Sequence, residues 1–445
     1  MTRTVALVAI ALWALSPAAP AGAETPTRFT LAQAVSIAAG QNPGVTLAQQ
    51  RVQEAAGKVG QARAGLLPSL TGQATMTDRT FNLYTLGLAL PAVPGMPPYA
   101  KLQGPVYDSE ARLKLSQPLF DYSSWRKLRA SQLGVLGSRA DLGVSAEASA
   151  QGAALAYLRA ARADAVLRAR QEDLELARAL QALAEAQLAA GTSPAIDVTR
   201  ARTEVASSRG SLLIARNQRD RSRVDLARAL GMDPASAPEP ADTLASALGA
   251  SDAPVEQAAA VQFAADHRDE LRGEQARLAK AQADRSATSG ERYPRVDVSA
   301  DWGSSGEHYG SAIGTYTYVL AVTVPLVDGF KREGKLAEQG ALVNESQTRV
   351  KDIRDQVESE VLNALLDLSS GIEQQGVAAE RLQLALDEVA QATERFTNGV
   401  AGNIEVINAQ STLVRARDAD IDARFAVASA RVALARAAGV ARSIH

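Results

Sequence analysis

The chain contains no cysteine. That absence excludes disulfides, thiolate metal sites, a cysteine nucleophile and an acylated N-terminal cysteine. Histidine is scarce as well: His267, His308 and His445 lie far apart, so neither a histidine metal cluster nor histidine-based catalysis is expected. Aromatic residues make up 4% of the chain, thin for one large globular core but compatible with long alanine- and leucine-rich helices. No sign of charge dominates. The 47 basic and 49 acidic residues leave a formal net charge of -2, with no basic stripe for nucleic acid and no acidic tail. Beyond the N-terminal stretch no apolar run approaches ~18 residues, so no transmembrane helix is expected. The four methionines are scattered. Neither a metal nor a cofactor is expected.

What is present begins with an address. "MTRTVALVAIALWALSPAAPAGAET" carries Arg3, an apolar run from Val5 to Leu15 and an Ala21-Gly22-Ala23 end. That is the layout of a secretory signal over residues 1–23, with cleavage leaving Glu24 first. The mature chain is then exported, either soluble in the periplasm or held in a membrane by strands.

The rest of the sequence is written twice. "AGLLPSLTGQATM" around Pro68 matches "GERYPRVDVSADW" around Pro294, and "LKLSQPLFD" around Pro118 matches "LAVTVPLVD" around Pro325. A third pair, "GTSPAIDV" and "GVAGNIEV", also aligns Gly231 with Gly439. The repeats run from 24 to 230 and from 263 to 445, with a Pro/Ala/Ser-rich linker or equatorial segment over 231–262. Each has a moderate helix (about 44–66, then 267–290), a strand pair (about 69–118, then 295–325), a very long helix, a glycine turn and a helix back. Pro68, Pro118, Pro294 and Pro325 mark the junctions of strands with helices. Proline is absent from 119 to 193 and after 325, where strong helix formers dominate. A helix from about 124 to 190 is ~100 Å long, which demands a rod or tube. Val198, Val205 and Leu212, then Val406 and Leu413, carry the heptad spacing of coiled-coil pairs.

The strands are two-faced. Val296, Val298, Ala300 and Trp302 share one side of an extended segment, and Arg295, Asp297, Ser299 and Asp301 share the other. The same alternation recurs around Leu70, Leu113 and Tyr318. Two readings fit: a sheet packed on a helix with one wet face, or membrane-barrel strands with lipid outside and water inside. Phe120, Tyr122, Trp125, Tyr293 and Phe330 gather at the helix–strand junctions, and Phe81, Tyr84, Trp302, Tyr309 and Tyr316 toward the hairpin ends. Two such belts favour the membrane barrel. Long hairpin loops are expected over 91–107 and 303–314. Four strands cannot close a barrel, so two or three chains must share one.

Taken together, "NPGVTLAQQRVQEAAGKVGQARAGLLPSL", "SQPLFD", "VPLVDG", "AQLAAGTSPAIDVTRARTEV" and "RFTNGVAGNIEVINAQSTLV" make the chain resemble the TolC-like outer membrane efflux protein family. The resemblance spans nearly all of residues 30 to 440. It implies an α+β membrane protein: a homotrimeric twelve-stranded β-barrel, four strands per chain, continuous with a long periplasmic α-helical coiled-coil barrel. It further implies the exit duct of a tripartite efflux or type I secretion system, embedded in outer-membrane lipid and coupled through a periplasmic adaptor to an inner-membrane transporter. The adaptor-docking tip falls on Gly191, Thr192, Ser193 and Pro194 and on Gly399, Val400, Ala401 and Gly402. Asp197 and Glu405 would bring carboxylates near the pore axis, with Asn408 where some relatives carry a second acid. Both acids also suit a plain helix start, interacting with the macrodipole. Many relatives carry a lipidated cysteine that this chain lacks. The alternative is a soluble periplasmic coiled-coil scaffold with small half-wet sheets. Enzymatic activity is not expected, because Asp297 and Asp301 have no accompanying nucleophile, base or metal set.

Overall fold

The computed structural model describes residues 28–82, 85, 95, 102–246 and 248–445. The secretory signal over residues 1–23 and the hairpin aromatic Tyr84 lie outside the described residues. In chain order the first repeat comprises β1 (Arg28–Phe29), α1 (Leu31–Gln41), α2 (Pro43–Ala64), β2 (Ser69–Asn82), β3 (Leu102–Phe120), α3 (Tyr122–Ala189) and α4 (Ala195–Leu230). There follow β4 (Glu239–Pro240) in the segment expected as a linker, then α5 (Gln257–His267), α6 (Asp269–Gly290), β5 (Arg295–Gly306), β6 (Ile313–Thr323), α7 (Lys331–Thr397) and α8 (Asn403–Ala437). α1 and α5 have 11 residues each, and α2 and α6, which follow them, 22 each.

Local chemistry sets the ends of these elements. Thr30 and Gln33 form a reciprocal capping box on α1, while Asn42 caps α2 just ahead of Pro43 at its first position. The Asp121 carboxylate accepts from the Ser124 amide at 3.0 Å to start α3. Gly231 and Gly439, with φ of +75° and +78°, end the return helices. With 68 and 67 residues, α3 and α7 are each ~100 Å rods.

The four long strands form one antiparallel sheet in the order β2-β3-β5-β6, so β2 and β6 each have one free edge. Strand pairing runs further than the expected loops allow. Leu102 pairs with Asn82, and Ser305 with Ile313, which shortens the loops expected at 91–107 and 303–314. Interstrand hydrogen bonding continues there because the backbone groups of both partners are already in ladder position. Pro118 lies within β3 rather than at its end. It is tolerated because β2 flanks β3 only as far as Ser116, and the ladder to β5 is irregular between Pro118 and Phe120.

The long helices pack side by side in the order α4-α3-α8-α7, with α4 and α7 at the outer edges. Alanine dominates the buried positions, so helix axes approach closely. At the layer's middle, Tyr157 is fully buried among Leu31, Val35, Leu226, Leu230 and Ile444. Its hydroxyl donates toward the Phe29 carbonyl (2.9 Å) or the Asp242 carboxylate (2.8 Å) and accepts from the Asp242 amide (3.0 Å). Burial pushes its pKa up. Segment 231–262, linker-like in composition, is tied into this belt: β4 pairs in parallel with β1, and Leu244 and Leu248 are buried. Arg268, also buried, donates to the Arg436 and Ala437 carbonyls, both at 3.2 Å, and pairs with Glu360 at 2.7 Å.

Candidate functional site

The register of the sheet sorts its side chains into rows, because directly opposed residues share a face. Leu70, Leu115, Ala300 and Tyr318 are opposed in turn across the four strands, as are Gly72, Leu113, Trp302 and Tyr316. Between these rows, Thr71, Lys114, Asp301 and Thr317 occupy the other face, with Gln73, Arg112, Gly303 and Thr315 beside them. One face is therefore apolar across the whole sheet. The other carries charge: Arg112 pairs with Asp301 at 2.7 Å and with Glu110 at 3.3 Å.

Among the described residues neither face is packed against a helix. Leu70, Tyr318, Leu320 and Val322 are 62–67% exposed in the single chain. A sheet sandwiched on a helix, as the scaffold alternative requires, is not what the fold presents. The proline junctions frame this surface. Pro68 and Pro294 directly precede β2 and β5, and Pro325 follows β6 by two residues. Tyr122 meets Tyr293 edge-to-face at 5.2 Å where helices join strands, with Phe120 and Phe330 exposed nearby in sequence. Toward the hairpin end, the Trp302 indole donates to the Tyr318 hydroxyl at 2.8 Å, and Tyr316 is exposed.

The opposite pole is the helical tip, built alike in both repeats. Gly191 and Gly399 have φ of +73° and +69°. The Thr192 amide donates to the Gln187 carbonyl and the Gly191 amide to Leu188; Val400 and Gly399 do the same to Arg395 and Phe396. These are paired Schellman turns, which need a left-handed residue. Two amide side chains lock the turns together: Asn403 donates to the Asp197 carbonyl at 2.9 Å, and Gln187 to the Phe396 carbonyl at 3.0 Å. Thr192, Pro194, Val400 and Gly402 are exposed, while Ser193 and Ala401 are half-buried.

The acids at the tip differ. The Asp197 carboxylate is buried, accepts from the Ser193 hydroxyl at 2.9 Å and lies 3.5 Å from Arg200. Glu405 is half-exposed and pairs with Arg395 at 2.9 Å across the turn. Asn408 is exposed one turn further on. The fold thus gives the two acids separate partners, and adds Gln187, Arg395 and Asn403, which sequence reasoning missed. The Arg395–Glu405 spacing across a glycine turn is the one signal that could have revealed such a pair.

Above the tip, the two helical hairpins are joined by charge. Asp173, buried on α3, pairs with Arg170 at 2.9 Å and with Arg417 of α8 at 2.6 Å. Arg170 also reaches Asp418 at 2.5 Å, and Arg162 reaches Asp422 at 2.6 Å.

Sequence and structure comparisons agree on one relationship. A family model described as "Outer membrane efflux protein" matches residues 34–232 and 260–440. The chain is 25% identical over 439 residues to Protein CyaE of Bordetella pertussis, covering 96% of this chain and 87% of that one. It is 25% identical over 294 residues to the pyoverdine export outer membrane protein OpmQ of Pseudomonas putida, covering 64% and 60%. The crystal structure of the outer membrane protein VceC from Vibrio cholerae superposes with a TM-score of 0.76 at 21% identity, over 92% of this chain and 96% of that one.

Proposed function

The chain belongs to the outer membrane efflux protein family, matched over both of its repeats, and from that premise we propose that it is an outer-membrane exit duct. It carries small molecules passively from the periplasm to the exterior. The observation that carries this reading is the uncovered apolar face of the four-stranded sheet, continuous across every strand and backed by a charged face. Lipid satisfies the first and a water-filled lumen the second.

The free edges of β2 and β6 set the assembly. In lipid an unpaired edge leaves backbone groups without partners, each costing several kcal/mol on the order of a lost hydrogen bond. Four strands fall short of the roughly eight that the smallest barrels need. Copies must therefore share the barrel, and a homotrimer supplies twelve strands. The helical layer of each copy continues this wall into the periplasm, where the turns Gly191–Pro194 and Gly399–Gly402 meet a periplasmic adaptor bound in turn to an inner-membrane transporter. Glu405 and Asn408 are the candidates for narrowing the tip. Asp197, turned into the chain toward Ser193, acts mainly on its own helix start.

Current through a planar lipid bilayer, after adding detergent-purified mature chain under a salt gradient, tests this. Discrete cation-preferring steps that lose selectivity in Glu405→Ala support a duct narrowed by its acidic tip. Steps indifferent to that change place the narrowing elsewhere. Folded protein that never inserts refutes the duct.

A further inference from the structure

We propose that the start of α3 is a seat for anionic phospholipid of the periplasmic leaflet: Arg126 and Arg129 take the negative headgroup, flanked by Tyr122 and Trp125. The proposal rests on the outer-membrane reading and adds to it which lipid the wall selects and where.

The junction of sheet and helices is basic in a chain that is not. Stretches 121–129, 291–293 and 328–335 hold seven basic and four acidic residues, against a net charge of -2 for the whole sequence. All four acids are engaged. Asp121 accepts from the Ser124 amide and hydroxyl, Glu291 pairs with Lys335, Asp328 with Arg332 and Glu333 with Arg292. Arg126 and Arg129 have no ion-pair partner among the described residues. Arg126 Nε is buried without a hydrogen-bond acceptor, and the guanidinium carbon lies 6.0 Å from the centre of the Tyr122 ring. The duplication does not impose this pair. With Pro118 on Pro325 and Asp121 on Asp328, the second repeat carries Glu333 and Leu336 at the same places.

Both arginines lie on the lipid side of the wall. Phe120 is opposed to Val296 in the apolar row, and the extended Asp121 carries the same parity on to Tyr122. Seven-residue steps keep to one side of a coiled-coil helix. From Tyr122 they pass through Arg129 and Leu136 to Ala150 and Tyr157, which pack with α1 in the buried belt. Arg129 therefore stands between the apolar face and the belt, with Arg126 adjoining it three residues earlier. Their heights fit a headgroup layer. Arg126 is ~6 Å and Arg129 ~10 Å along the helix from Tyr122, and helical side chains lean back toward the N-terminus, here toward the bilayer. That layer is ~5–7 Å deep on each side of the hydrocarbon. Trp125 is 67% exposed in the single chain, and such rings settle at headgroup level. Beside it an open groove between Leu66, Leu119 and Leu128 offers the first acyl methylenes an apolar wall; Asp121 borders the groove, held by Ser124. A dissolved anion would give no reason for these apolar neighbours. A phospholipid with net negative charge uses all of them, since guanidinium groups pair with its phosphate in a fork.

Tryptophan is scarce enough to make the test direct. Once residues 1–23 are removed only Trp125 and Trp302 remain, so Trp302→Phe leaves Trp125 as sole reporter. This mature chain is inserted into phosphatidylcholine vesicles in which about one-tenth of the lipid is phosphatidylglycerol brominated near the top of its acyl chains. Trp125 fluorescence should fall further than with the same fraction of brominated phosphatidylcholine. Each arginine near an anionic surface contributes roughly fivefold enrichment, about 25-fold for the two, falling as salt is added. Arg126→Gln with Arg129→Gln should make the two lipids quench equally, and Arg129→Gln alone should leave about fivefold. Lys114→Gln, on the polar face of β3, should change nothing. Vesicles made wholly of brominated phosphatidylcholine should quench the parent and every variant alike, which shows that all of them insert. Equal quenching by both lipids in the parent, or a preference that survives the double substitution, overturns the lipid seat and leaves the duct standing. A folded parent chain that even the wholly brominated vesicles do not quench has not inserted, and overturns both.

Discussion

Replacing Asp173 with alanine removes the carboxylate at the centre of the α3–α8 junction. It is 3% exposed and contacts Arg170 at 2.9 Å and Arg417 at 2.6 Å. Breaking a buried pair by deleting one partner costs about 3–5 kcal/mol, because a charge is left buried without compensation. Here the loss is smaller. Arg170 keeps Asp418, while Arg417 keeps only Glu172 at 3.2 Å, whose side chain is 64% exposed. About 2–3 kcal/mol remains, with every 1.4 kcal/mol a factor of ten. Hydrogen exchange by local opening should therefore accelerate roughly 30- to 150-fold in α3 and α8 around this junction. Amides of α2 and α6, far from it, should be unchanged. Acceleration below about threefold at the junction, or an equal change throughout the chain, would show that alanine packing alone holds the hairpins together and that the charges are adequately solvated.

Leu320→Arg on the apolar face of β6 should cost about 2–4 kcal/mol in lipid and cut the fraction inserted into vesicles, whereas Thr317→Arg on the polar face should leave insertion unchanged. At Gly191 nothing lies where a Cβ would be, so only the φ of +73° is at issue; Gly191→Val should cost about 1–2 kcal/mol and speed tip proteolysis, with Gly191→Asn near wild type. Burial pushes the Glu270 carboxyl up, but the Arg436 hydrogen bond and the charges of Arg268 and Arg436 outweigh it, leaving the pKa below 4.5. A depressed folded-state pKa contributes stability in full above the unfolded value and loses it as pH falls through the folded one. Proteolysis at the α6–α8 contact should therefore rise in acid below about pH 4.5, and Glu270→Gln should flatten that dependence.

The long elements are legible in the sequence because one physical rule governs each. Helices expected at about 44–66 and 124–190 appear as Pro43–Ala64 and Tyr122–Ala189, their starts set by Asn42 and Asp121 caps and their length by the absence of proline. The alternation around Val296 and Leu70 lines up into faces because strand pairing preserves parity. What local pattern does not encode is distance. The parallel contact of Arg28 with Glu239 joins residues 211 apart, and nothing around either announces the other. The 231–262 segment has the composition of a linker, yet the Tyr157 hydroxyl, the pairing of β4 with β1 and the buried Leu244 and Leu248 draw it into the core. At the tip, Asp197 and Glu405 are equivalent in sequence. Ser193, which has no hydroxyl counterpart at Ala401, turns one inward while Arg395 takes the other.

The two tip turns share a backbone and differ in side chains. In both, the same pair of amide-to-carbonyl bonds closes around a left-handed glycine. One presents Thr192, Ser193 and Pro194, the other Val400, Ala401 and Gly402. A ring of three copies would thus display six turns of one shape in two alternating chemistries. A partner made of six identical subunits would meet each kind at every second position. It could bind all six equally only through what they have in common: curvature, exposed peptide groups and the helix ends. Contacts to side chains would split such a partner into two classes of bound subunit, so duplication hands shape to recognition and leaves sequence free to diverge.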